Sequence, residues 1–127
     1  MKARRGMTLI EIMIALVILS SVMLGMGAFM GAYGRAVGTS SARASARELV
    51  AERLEYVKGA TNYTSIEATY GGLETGIPGY PGFLRRTLVM RVGGQPNDRF
   101  DHKVITVVVE GPGLEKPVKK TSVIAAF

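Results

Sequence analysis

Few residues in this chain are able to do chemistry, and their spacing limits what they can do. Glu11 is a lone carboxylate at the head of an uncharged stretch, residues 12–34. An ionisable group beside so long an apolar run needs a partner, because unpaired charge is expensive in a hydrocarbon medium. Asn97, Asp98, Asp101 and His102 crowd into one turn that could present oxygens to Ca²⁺. A solvated turn is the simpler reading, so Asp98, Asp101 and His102 stand only as secondary metal candidates. His102 is the single histidine, and with Ser65 or Ser122 it would be the base of a hydrolase triad. No nucleophile motif surrounds either serine. With no cysteine in the chain, disulfides, thiolate nucleophiles and Cys-ligated metals are excluded. The expectation is a protein without catalytic residues, metal or other cofactor.

A chain of 127 residues holds one small domain. The formal net charge is +6, from 16 Lys and Arg against 10 Asp and Glu. Lys2, Arg4 and Arg5 precede the apolar run, and residues 12–33, at about 1.5 Å each, span roughly 33 Å, enough for a hydrocarbon core. A basic head before an apolar run also describes a secretory signal peptide. Here the run is too long, and the small residues Ala28 and Ala32 have Met26 and Met30 two positions before them, where a cleavage site needs another small residue.

Arg5-Gly6-Met7-Thr8-Leu9-Ile10-Glu11, followed by the apolar run, resembles the prepilin signal of the type IV pilin superfamily. The resemblance covers about the first 30 residues. It implies cleavage by a prepilin peptidase between Gly6 and Met7, methylation of the new amine on Met7, and a match of Glu11 to the family's glutamate that is fifth in the mature chain. The family usually has phenylalanine where this chain has Met7. It also implies a filament in which Glu11 meets the Met7 amine of a neighbouring subunit, a pairing that sets register because either charge alone in an apolar bundle is heavily penalised. The implied partners are other pilin or pseudopilin subunits, the peptidase and an inner-membrane assembly platform. Orientation also follows from the resemblance, since Arg35, Arg43 and Arg47 after the span balance the basic residues before it. The N-terminus is then cytoplasmic, and the head lies in the periplasm before the inner-membrane protein is drawn into a filament.

The elements that position these residues follow from periodicity. Gly27/Gly31 and Ala28/Ala32 form small-xxx-small pairs that let membrane helices approach closely. Major pilins carry a helix-breaking proline at the position of Ala28, so any loosening between residues 25 and 34 would have to come from glycine. Ala42, Ala46, Leu49, Val50, Leu54 and Val57 recur at helical spacing, with Arg43, Arg47, Glu48, Glu52, Arg53 and Glu55 on the other faces. Lys58-Gly59 is a stop signal. Periodicity therefore gives an apolar helix to residue 34, an amphipathic helix at 35–58 and a β-rich head at 59–127, and the resemblance implies a leader at 1–6 with 7–34 as the transmembrane and filament-core helix.

Within the head, residues 60–82 read as loop from their glycines and prolines. Residues 83–92, 103–110 and 118–127 read as strands separated by turn chemistry at 93–98 and 111–113. Leu84, Leu88, Met90 and Val92 share one face of the first strand, and Arg85, Thr87 and Arg91 share the other. Lys119 and Lys120 read as protection of an edge strand. The fold class is α+β: a long N-terminal helix on a small antiparallel sheet, pilin-like. The head is basic through Arg85, Arg86, Arg91, Arg99, Lys103, Lys116, Lys119 and Lys120, but six acidic residues offset them, so nucleic acid is not the expected partner. Short length and retained Glu11 resemble the small I-type minor pseudopilin of type II secretion and the minor pilins that prime type IV pili. A competence-type pilin that binds DNA during uptake, and a simple membrane-anchored periplasmic module, are the alternatives.

Overall fold

The computed structural model describes residues 8–93 and 100–125. Its elements are α1 (Leu9–Lys58), α2 (Ile66–Tyr70), β1 (Gly72–Glu74), β2 (Leu84–Val92), β3 (His102–Glu110) and β4 (Val118–Ala125). The chain divides into two compact units at Val37/Gly38.

In the first unit, α1 is helical through every glycine from Gly25 to Gly34, so no break replaces the missing proline. Each residue from Thr8 to Val37 is exposed, including Ile12, Val17, Leu24, Phe29 and Tyr33. Ser20 and Ser21 donate their hydroxyls to the carbonyls of Leu16 and Val17 at 2.7 and 2.9 Å, so neither leaves a free donor on this surface. By length and composition the helix suits a membrane span.

In the second unit, α1 lies on a four-stranded antiparallel meander of order β1-β2-β3-β4. Ala46, Leu49, Val50, Leu54 and Val57 from α1 meet Ile66, Phe83, Ile105, Val107 and Val109 in one core. The helical spacing of the first five and the strand alternation of β3 are the sequence cause of this packing. Gly111 is required by the core's shape, because a Cβ there would lie inside the Phe83 ring.

One sequence expectation needs correction, and one orientation that the sequence left open is decided by the packing. Residues 60–82 are not all loop: Ile66 of α2 is buried in the core, and β1 pairs with β2 through Gly72↔Thr87, Leu73↔Arg86 and Glu74↔Arg85. Five- and three-residue elements are too short to leave a period. The alternation of β2 is present as expected, but its polar side turns toward α1. Arg85 and Thr87 are buried, whereas Leu88 and Met90 are 53% and 63% exposed. The reason is that α1 presents Glu52 and Arg53 opposite β2. Arg53 Nε donates to Thr87 Oγ1 at 3.2 Å, and Arg85 Nη1 donates to Glu52 Oε2 at 2.9 Å and to the Leu49 carbonyl at 3.1 Å. Lys119 and Lys120 stand exposed on β4, which is an edge of the sheet.

Candidate functional site

Glu11 lies in the first turn of α1, with Thr8 in the position that caps the helix. Glu11 N and Ile12 N donate to the Thr8 carbonyl at 3.1 and 3.3 Å. In return Thr8 N donates to Glu11 Oε2 at 3.4 Å, the backward half of a capping box. Among the described residues the exposed carboxylate thus has one weak local partner. Gly6 and Met7, the expected cleavage and methylation positions, lie outside the described residues. A Cβ built on Gly27 meets nothing within 4 Å, and one on Gly31 meets only Arg35 at 3.8 Å. Ala28 and Ala32 are likewise exposed, so this small-residue surface is open in one copy.

The turn expected to be solvated contains a buried carboxylate instead. Asp101 accepts from Arg91 Nε at 2.8 Å and Nη2 at 2.7 Å, and from the Tyr63 hydroxyl at 3.4 Å. Arg91 holds the Asp101 carboxyl below its ordinary value of 3.8, and burial together with Asp101 raises the Tyr63 hydroxyl above 10.0. Lys103 Nζ donates to the Tyr63 carbonyl at 2.8 Å and stands 4.8 Å from the Tyr63 ring centroid. Asp101 is therefore committed to closing the β2–β3 hairpin, where Gly93 packs against it with φ +115°. His102 Nδ1 lies 2.8 Å from the Phe100 carbonyl oxygen. Among the described residues no cluster of acidic residues or histidine could hold a metal ion; Asn97 and Asp98 lie outside them.

The sign of this carboxylate's effect on stability is fixed. A depressed folded value means the contribution is full above the unfolded value of 3.8 and is lost as pH falls through the lower folded value. Acid unfolding followed by circular dichroism should show the parent chain losing stability more steeply than Asp101→Asn between about pH 4 and 2. Parallel acid limbs would rule the hairpin lock out as a source of acid sensitivity.

His102 and Ser122 do not meet. His102 pairs with Ala125 on one face of the sheet, whereas Ser122 pairs with Ile105, whose side chain faces the core. The Ser65 hydroxyl is used on the Asn62 carbonyl at 3.2 Å. Of the basic residues expected on the head, Arg85, Arg91 and Lys103 are consumed internally. Arg86, Lys116, Lys119 and Lys120 remain exposed, and Arg99 lies outside the described residues.

The structure also places charges that periodicity leaves ungrouped. A groove of about 490 Å³ beside α1 is lined by Glu52, Glu55, Tyr56, Gly59 and Tyr70. On the side toward β4, a groove of about 400 Å³ is lined by Arg47, Val50, Ala51, Val118, Lys119 and Lys120. The Tyr80 hydroxyl donates to Glu48, which raises the tyrosine above its usual value. The available signal was the i, i+4, i+7 spacing of Glu48, Glu52 and Glu55, but it says nothing of what the sheet brings alongside.

Residues 1–27 match the family described as the prokaryotic N-terminal methylation motif. No curated protein and no solved structure matches the chain. The motif, the apolar helix that follows it and the small antiparallel sheet together fit a type IV pilin-like protein.

Proposed function

We propose that this pilin-like chain is a minor pilin or pseudopilin, a non-enzymatic filament subunit inserted in the inner membrane. The carrying observation is the methylation motif at residues 1–27 running directly into a helix whose apolar surface nothing in its own unit covers. Such a surface requires lipid first and neighbouring helices afterwards. In this reading the prepilin peptidase cuts between Gly6 and Met7 and Met7 is methylated. The inner-membrane assembly platform then draws the chain, head outward in the periplasm, into a pseudopilus or pilus that it helps to initiate.

Glu11 is the subunit-pairing carboxylate, because its weak bond to Thr8 leaves it able to take a neighbour's amine. Gly27, Ala28, Gly31 and Ala32 are the helix-packing surface. The reading spans type II secretion and type IV pilus assembly. The DNA-uptake alternative is less well supported by the head, since three of its basic side chains are spent on internal partners.

Intact mass and N-terminal peptide analysis of the protein from its native membranes tests this. The expected chain begins at Met7 and carries one added methyl group. A chain beginning at Met1, or cut near Ala28, would overturn the reading.

A further inference from the structure

We infer that the face of the sheet turned away from α1 docks an amphipathic helix of another protein, one with acidic residues on both flanks of its apolar stripe. This surface belongs to the second unit alone, so it stands whether or not the chain is a filament subunit.

The register of the sheet defines the face. Val104, Thr106 and Val108 alternate with the core residues of β3 and point to the opposite side. Met90 on β2 and Val123 on β4 pair with Val104 from its two sides, and Leu88 lies beside Thr106. Leu88, Met90 and Val123 are 53%, 63% and 60% exposed, so nothing among the described residues covers them. The hydroxyls of Thr106 and Thr121 share a hydrogen bond at 3.0 Å, which lowers the cost of drying the middle of the face. An apolar field three strands wide on a polar head marks an interaction site.

A helix suits its shape. The same sheet already takes one on its other side, where Ala46, Leu49 and Val50 of α1, at i, i+3 and i+4, meet the core residues of β3. A second helix would complete a three-layer arrangement around one sheet.

Charge decides what flanks that helix. Arg86 and Lys119 stand on either side of Val108, two strand spacings or about 10 Å apart, which is the width of a helix. Lys120 pairs with Val107 and turns to the α1 side, so it takes no part. Arg86, Lys119 and Glu110 make no ion pair among the described residues. Glu110 follows Val108 on the same face of β3. The partner's order is then set: an apolar stripe over Met90, Val104 and Val123, an acid on each flank, and a basic residue over Glu110. A second copy docked face to face fits worse, because a two-fold axis along the strands lays β2 over β4 and sets Arg86 against Lys119.

The full-length chain in phosphatidylcholine nanodiscs is titrated into labelled helical peptides of about 20 residues, matching the roughly 30 Å of β3. One peptide carries the apolar stripe, glutamate flanks and terminal lysine, and the other has these charges exchanged. Fluorescence anisotropy, corrected with empty discs, should show the glutamate-flanked peptide binding at least about tenfold more tightly. Leu88→Glu and Met90→Glu, both at exposed positions, should each weaken its binding at least about tenfold. Combining Arg86→Glu, Lys119→Glu and Glu110→Lys should reverse the preference.

Equal binding of the two peptides, or binding indifferent to Leu88→Glu and Met90→Glu, overturns the inference. So does sedimentation of the discs with phosphatidylglycerol vesicles without peptide preference, which would make the face a lipid contact. Pairing of discs with one another, abolished by Met90→Glu, would make it a contact between copies and overturn it equally. Filament incorporation enters none of these readouts, so loss of this surface leaves the subunit reading standing.

Discussion

Glu11→Val is expected to be cut and methylated normally and yet to fall at least about tenfold in its share of the assembled filament. The pairing energy sets that size. Removing one member of a charge pair in an apolar environment costs about 3–5 kcal/mol, and each 1.4 kcal/mol is a factor of ten. On the proposed reading the neighbour's Met7 amine is left in the helix bundle without a counter-charge. A competing explanation is local, because the Glu11 carboxylate also takes the Thr8 amide at 3.4 Å and so helps to cap α1.

Glu11→Gln separates the two explanations. Glutamine completes a capping box as well as glutamate does but carries no charge. It should fail as badly as valine if pairing matters and assemble normally if capping does. Filament shearing followed by immunoblotting gives the incorporated fraction, and intact mass gives the processing. Normal incorporation of both variants would sink the pairing argument.

Arg85→Ala should cost the head about 2–3 kcal/mol and lower its unfolding midpoint by roughly 10–20 °C. Arg85 is 8% exposed and joins three elements. Its Nε donates to Glu74 Oε2 at 2.6 Å on β1, and its Nη1 reaches Glu52 and the Leu49 carbonyl on α1. Glu74 in turn accepts from Arg53 at 2.6 Å. Losing the guanidinium leaves the buried Leu49 carbonyl without this donor and Glu74 with one cation instead of two.

The figure is set below that for a fully buried pair because Glu74 and Glu52 keep 36% and 47% of their side chains in solvent. Arg85→Lys keeps the charge but not the fork that serves three acceptors, so it should recover only part of the loss. Arg85→Met restores bulk without charge and should resemble alanine more than lysine. Thermal unfolding of the full-length chain in detergent reads all three. An unfolding midpoint unmoved by Arg85→Ala would show that β1 and β2 hold to α1 without this network.

The legible parts of the chain were those with long, regular patterns. The apolar run, its basic head and Glu11 are contiguous, so linear order alone carried the motif. Leu49, Val50, Leu54 and Val57 repeat with the helix, and Lys58-Gly59 marked the end of α1 at Lys58. β3 was visible from its run of β-branched residues, lacking only His102 at its start, while its alternating burial emerged with the sheet. By contrast, Ile66 looked like any residue of a glycine-rich loop, because a five-residue helix completes little more than one turn.

Asp101 shows where linear reading stops. In sequence it belonged with Asn97, Asp98 and His102, and the four together suggested either a cation loop or a solvated turn. Its partners are ten positions back at Arg91 and thirty-eight back at Tyr63. Only the hairpin register and the loop before α2 bring them into contact, and once there the bidentate arginine removes the carboxylate from both roles. β2 makes the same point. Alternation specified two faces but left their orientation to the charges that α1 set opposite them.

The sequence by itself therefore determined the signal, the apolar span, the helix end and the order of the main strands, because each is written in neighbouring residues or in a short period. The tertiary structure decided which face of β2 is buried, which charges are spent inside the head and which are left exposed on its surface. Those outcomes depend on pairings between residues ten to forty positions apart, and their energies exist only once the sheet has laid its strands against the helix.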